Sequence, residues 1–189
     1  MPKYATLAQV RAYQGLLAGE TADDTLLTDL LNRVEAMLER DTGRTFSSVT
    51  ATKTFDERAL DGALLVLSHD LLSVTTLTDA NGTVLTASLW DLLEDTAPYW
   101  AIVRTDGARW SANARAGLRI SVAGTWGYSA SAPDDVVQAC VEATCYLFQK
   151  RQSVTESERA LVSPDGTILQ AATLPSSYRL AVRRYSKAI

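Results

Sequence analysis

A chain of 189 residues with 47% hydrophobic and 21% charged residues suits one ordinary globular domain, and it is too apolar for wholesale disorder. Its longest aliphatic run, Ala63 to Leu67, falls far short of a membrane span. The opening Met-Pro-Lys-Tyr-Ala-Thr has no basic segment followed by an apolar one, so neither a secretory leader nor a membrane partner is expected. The formal net charge of −4 is unevenly spread. The last eleven residues hold Arg179, Arg183, Arg184 and Lys187 and no acid, which leaves 14 basic against 22 acidic residues, about −8, in the body. Such a body lacks the broad basic face of a general nucleic-acid binder, whereas its tail suits something acidic.

In chain order, Thr6 to Gln9 spells a capping box and starts a short helix with Leu7, Val10 and Leu17 as its apolar stripe, ending near Gly15 and Gly19. A second helix, capped by Thr21 or Asp23, carries Leu27, Leu30, Leu31, Val34, Met37 and Leu38 at helical spacing and stops at Gly43. The pattern then turns to alternation. Strands are predicted at 50–55, 64–67, 74–78, 84–85, 99–104 and 118–125, with a hairpin turn at Asp79-Ala80-Asn81-Gly82. Pro133, Asp134 and Asp135 open a third helix whose stripe is Val136, Val137, Cys140, Ala143, Thr144, Leu147 and Phe148. Ser163 to Gly166 reads as a turn, and a last helix begins near Pro175. The fold class is α+β: a helical core of an N-terminal helix pair plus a long third helix, an inserted small antiparallel β unit, and a C-terminal tail helix. The boundaries are 1–48 for the first two helices, 49–128 for the β insertion, 129–153 for the third helix and 154–189 for an extended segment with the tail helix.

Residues that could carry chemistry are few. The one histidine, His69, stands beside Asp70 with no Gly-x-Ser-x-Gly nucleophile elbow to complete a triad, and a surface or turn role fits it better. Cys140 and Cys145 lie about 140° apart on one helix, so they point to different faces and read as buried thiols. Asp23-Asp24 and Asp134-Asp135 sit at helix starts, where the dipole alone explains them, and the acidic turn at Asp79 lacks the spacing of a calcium loop. The glycines form no phosphate-binding array. Trp90, Trp100, Trp110 and Trp126 all fall in the β unit, where core packing is favoured over a sugar or base platform. No catalytic residue, metal site or cofactor is expected. On the last helix, Tyr178, Ala181, Val182 and Tyr185 share one face, and Arg179, Arg183 and Lys187 form a cationic ridge beside it. Tyrosine and arginine are enriched at interface anchors, so this helix reads as a docking element.

Three segments resemble the head–tail connector (adaptor) proteins of tailed bacteriophages: Tyr4-Ala5-Thr6-Leu7 through Val10-Arg11-Ala12-Tyr13; Asp23-Asp24-Thr25-Leu26-Leu27 leading to Thr42-Gly43-Arg44-Thr45-Phe46; and Thr125-Trp126-Gly127-Tyr128 followed by Pro133-Asp134-Asp135. The resemblance marks Thr42, Gly43, Arg44, Phe46, Gly127, Tyr128 and Pro133 as motif residues. It implies a structural virion protein, assembled in the host cytoplasm, that forms a ring of twelve copies beneath the portal. DNA would pass its lumen without specific binding, and a further neck or tail protein would sit below. It also implies that Tyr178, Arg179, Val182, Arg183, Arg184, Tyr185 and Lys187 meet the portal. The alternatives are another neck role, head completion or tail termination, and a sugar- or single-strand-binding module built on the tryptophans.

Overall fold

The computed structural model describes residues 3–17, 19–153 and 174–187. Among them the chain is α+β, with four helices and an antiparallel sheet. The helices are α1 (Leu7–Gln14), α2 (Asp24–Thr42), α3 (Asp134–Ser153) and α4 (Ser176–Tyr185). The strands are β1 (Val49–Phe55), β2 (Leu60–Asp61), β3 (Leu64–Thr78), β4 (Trp90–Leu92), β5 (Tyr99–Arg104) and β6 (Ile120–Trp126). Two compact units result: a helical unit from within Met1–Gly43 and Pro133–Ile189, and a β unit, Arg44–Ala132. The expected turn at Ser163–Gly166 and the extended segment around it lie outside the described residues.

In the helical unit the Thr6 start and the Gly43 stop follow the sequence. Thr6 and Gln9 form the reciprocal capping box, and the left-handed Gly43 ends α2 with its N–H on the Glu39 carbonyl. Asp23 occupies the N-cap position of α2, yet its side chain makes no capping bond. Pro133 supplies the carbonyl that accepts from Val136 and Val137, one position before the first turn of α3. Leu27, Leu31, Val34 and Leu38 of α2 are fully buried, as are Val136, Cys140, Ala143 and Thr144 of α3, and the two helices pack together. Leu17 departs from expectation. It falls beyond the left-handed Gly15 that stops α1 and is 71% exposed, so only Val10 of the predicted stripe is buried.

A charged side chain inside this unit fixes the path of the N-terminal segment. Glu35, only 2% exposed on α2, accepts hydrogen bonds from the backbone N–H groups of Lys3 (2.6 Å), Tyr4 (2.8 Å) and Ala5 (3.0 Å). A carboxylate so ringed by amides is compensated for its lost water. One turn on, Glu39 takes the Tyr4 hydroxyl and the Lys3 ammonium.

The β unit is a six-stranded antiparallel sheet in the order β1-β6-β3-β5-β4, with β2 paired to β3. The sequence predicts two strands, 64–67 and 74–78, where the structure has the single strand β3. Its first half pairs with β5 and its second with β6, and the register shifts between Val66 and Leu71 and again between Leu71 and Thr76. Extended, 15 residues reach about 50 Å, yet Leu65 near one end and Leu77 near the other belong to one buried cluster. The strand therefore bends through its bulges around the polar Ser68-His69-Asp70, the stretch that reads as a break in sequence. Gly124 permits one of these shifts, because a Cβ there would stand 2.1 Å from the Ser73 carbonyl oxygen. The predicted strand at 84–85 is only a bridge from Val84 to Thr78 closing the Asp79–Gly82 turn, and β2 and β4 were not foreseen.

Glu35→Ala leaves the amides of residues 3–5 without their acceptor, and we expect it to cost roughly 3 kcal/mol or more of unfolding free energy. Glu35→Gln, which keeps one acceptor oxygen, should cost less. Urea denaturation of the three proteins checks this order, and equal stabilities contradict it.

Candidate functional site

The titratable groups assemble no reactive constellation in the described parts of the chain. His69 is exposed on β3, with Nδ1 2.8 Å from the Ser68 hydroxyl and its ring edge-on to Trp126. It lies within a strand, not in a turn. Its sequence neighbour Asp70 is buried and turned to Arg44. Cys140 and Cys145 are both free and buried. Burial pushes the Cys140 thiol up to about 12, with the Glu35 charge adding to it, which opposes formation of a reactive thiolate. Among the described residues no three His, Cys, Asp or Glu side chains stand together as a metal site.

The tryptophans divide. Trp126 and Trp110 are core residues, 1% and 6% exposed; Trp90 is half-buried, and Trp100 is 40% exposed with its indole N–H on Glu94 Oε1 at 2.9 Å. Trp126 donates to the Ala51 carbonyl at 2.9 Å and carries the Lys53 ammonium over its ring at 4.9 Å. Of the four indoles, Trp100 alone is classed as exposed.

Four of the motif residues meet in the β unit, where the chain enters and leaves it. Arg44 pairs with Asp70 at 2.8 Å, and its guanidinium lies 5.2 Å from the centre of the Tyr128 ring. Phe46 meets the same ring edge-on at 5.9 Å. The Tyr128 N–H bonds the Thr45 carbonyl and the Gly127 N–H bonds the Asp70 carbonyl, lacing the two ends of the unit together. Gly127 cannot be replaced cheaply: its φ is +140°, and a Cβ would stand 2.4 Å from the Ser47 carbonyl oxygen. These contacts tie the entering and leaving segments of the β unit to each other. In the helical unit, Thr42 bonds its hydroxyl to the Leu38 carbonyl at 2.7 Å and accepts the Lys187 N–H at 3.0 Å.

That last bond is one of several that moor α4. Tyr178, Ala181 and Tyr185 are buried on its inner face. The Tyr178 hydroxyl donates to Asp41 (2.9 Å), the Tyr185 hydroxyl to Asp135 (2.8 Å), and the Ser177 hydroxyl to Glu142. Arg184 adds an ion pair to Asp135 at 3.1 Å and lies 5.5 Å from the Tyr185 ring centre. The outer face presents Arg179, Leu180 and Arg183, with Leu180 62% exposed. The structure thus separates the residues that sequence places in one docking set. Tyr178 and Tyr185 face their own helices, Val182 is half-buried, and Lys187 lies past the helix end instead of continuing the ridge. Leu180 was missed, since its signal appears only once the inner face is known.

No family model matches the sequence, and no curated protein matches it. Solved structures do. A chain in the neck of an empty gene transfer agent (GTA) particle, computed with C6 symmetry, aligns over 97% of this chain and 89% of its own, with a TM-score of 0.67 at 21% identity. A chain from the virion of a native gene transfer agent particle aligns over the same shares with a TM-score of 0.66 at 21% identity. A third, from the neck of a native GTA particle computed with C12 symmetry, gives 0.60 at 20% identity over 100% of this chain and 96% of its own. The likeness is one of fold.

Burial, with the Asp41 hydrogen bond behind it, raises the Tyr178 phenol above the usual tyrosine range, and burial raises the Cys140 thiol. Groups whose folded pKa is raised give stability that is complete below their unfolded values and lost as pH climbs beyond them. Stability should therefore fall as pH passes about 8.5 for the cysteine and about 10 for the tyrosine. Chemical denaturation across pH 8–11 checks it: Cys140→Ala/Tyr178→Phe should flatten the decline, and an unchanged slope contradicts the assignment.

Proposed function

We propose that this chain is a structural neck subunit of a tailed-phage or phage-like particle: a head–tail connector (adaptor) that forms a ring, of twelve copies, beneath the portal and around the DNA channel. It acts by assembly and catalyses no reaction. One observation carries the reading: the fold aligns across 97% of the chain with a chain from a particle neck. The motif resemblance points the same way on independent grounds. Its residues Arg44, Phe46, Gly127 and Tyr128 cluster as scaffold and not as chemistry.

The exposed side of α4 is the part of the docking set that a portal can reach while the helix stays moored. Attachment accordingly falls to Arg179, Leu180 and Arg183, with Tyr178 and Tyr185 holding the helix from beneath. An exposed pair of arginines flanking a leucine has the composition of an interface anchor. Arg179→Glu/Arg183→Glu leaves every mooring contact in place, so it should fold normally and lose about tenfold or more in affinity for purified portal. Co-sedimentation with portal rings measures this, and unchanged binding by the folded variant contradicts the assignment of the docking face.

A further inference from the structure

The chain has three asparagines, and their surroundings differ in what governs the chemistry of a side-chain amide. Asn32 lies within α2, where the helix fixes the backbone nitrogen of the Arg33 that follows it. Asn113 precedes Ala114, and its Oδ1 accepts the N–H groups of Arg115 (3.1 Å) and Ala116 (3.2 Å). Asn81 stands exposed at the tip of the Asp79–Gly82 turn and is followed by Gly82, which is exposed as well. Its side-chain amide bonds no described residue. Space around Gly82 is open, with nothing within 4 Å of where a Cβ would stand. Lacking that carbon, glycine offers the least hindered backbone nitrogen to the side chain before it.

We propose that Asn81 is a covalent modification site, at which the chain ages by deamidation. The Gly82 nitrogen attacks Asn81 Cγ, the Cγ–Nδ2 bond breaks, and ammonia leaves with the Gly82 proton. Water then opens the cyclic imide at either carbonyl. Opening at the side-chain carbonyl gives aspartate in a normal backbone, and opening at the main-chain carbonyl gives isoaspartate, with the chain rerouted through the side chain. One amide becomes one carboxylate, which takes the formal net charge from −4 to −5. The turn supplies a brake: the Gly82 N–H donates to the Asp79 carbonyl at 3.1 Å, and that bond must open before the attack. It is a single bond at an exposed tip, where local opening costs least. Asp61-Gly62 and Asp106-Gly107 offer the same glycine beside a carboxylate, whose negative charge repels an attacking nitrogen. The Arg104 hydrogen bond holds the Asp106 carboxyl charged down to about 2.

The consequence for the sheet follows from the bonds around the turn. Asp79 Oδ1 accepts the N–H groups of Asn81 and Thr83, both at 2.9 Å, and beyond them the Leu85 N–H meets the Leu77 carbonyl at 2.8 Å. Isoaspartate inserts a methylene into the backbone between Asn81 and Gly82 and moves the later donors out of line. Leu85 is 8% exposed and belongs to the buried cluster, so damage at the tip reaches the core. Holding the full chain at mildly alkaline pH, where a backbone nitrogen ionises most readily, tests this by peptide mass mapping. The Asn81 peptide should gain about 1 Da as NH2 becomes OH, in aspartyl and isoaspartyl forms, while those of Asn32 and Asn113 keep their mass. Asn81→Gln, whose longer side chain closes the imide far more slowly, should fold normally and form no acidic species. In the isoaspartyl fraction the Leu85 amide should exchange with solvent at least about tenfold faster. In Asn81→Asp, which carries the charge without the extra methylene, it should exchange at the parent rate. An Asn81 peptide still intact when that of the urea-unfolded chain has converted overturns the site, as does undiminished acid formation in Asn81→Gln. Equal Leu85 exchange in the isoaspartyl fraction and the parent overturns the effect on the sheet.

Discussion

The buried carboxylate of Glu35 organises the helical unit. A charge taken out of water must be compensated on every side, and Glu35 achieves this with three consecutive backbone amides, from Lys3 to Ala5. That requirement fixes the segment before α1, which puts Thr6 where it can cap and directs Val10 into the core against α3. The opening Tyr-Ala-Thr-Leu motif is thereby explained: the tyrosine reaches Glu39, the alanine is small enough to lie buried, and the threonine starts the helix. With α1 held on α3, the same α2–α3 pair receives α4 from its other partners, Asp41, Asp135 and Glu142.

Acids are thus spent within the helical unit as acceptors, and the basic tail helix is moored by the neutral hydroxyls of Ser177, Tyr178 and Tyr185 as well as by Arg184. This division of labour leaves Arg179 and Arg183 outside. In the β unit the corresponding element is the Arg44–Asp70 pair under Tyr128, which ties the entering and leaving segments together. Removing one partner of such a pair strands a buried charge, so the pair holds the closure of the unit more than it adds to its stability.

Much of this was legible in the sequence, and the failures share a cause. Helices α2 and α3 declared themselves because their apolar residues repeat at a period that only a helix can bury on one side. The capping box at Thr6 and the stop at Gly43 rest on local chemistry and came out as read. What did not come out depended on partners distant in sequence. The bend in β3 is imposed by β5 and β6 on its two halves, so Ser68-His69-Asp70 read as a gap between strands. Leu17 looked like stripe because periodicity alone does not register that Gly15 has already ended the helix. On α4 the tyrosines and arginines are interleaved in sequence, and only Asp41 and Asp135, more than forty residues away, decide that the tyrosines turn inward.

In the proposed role the chain acts through its surfaces, the exposed Arg179, Leu180 and Arg183 of α4 among them. The proposed role has the chain encircle an axis together with a portal. Electron microscopy of the purified 20.5 kDa chain mixed with purified portal is the direct measurement. The expected result is a closed ring of this chain, coaxial with the portal and stacked on one of its ends. Portal particles identical to those imaged without it, beside free monomers of the chain, would contradict it.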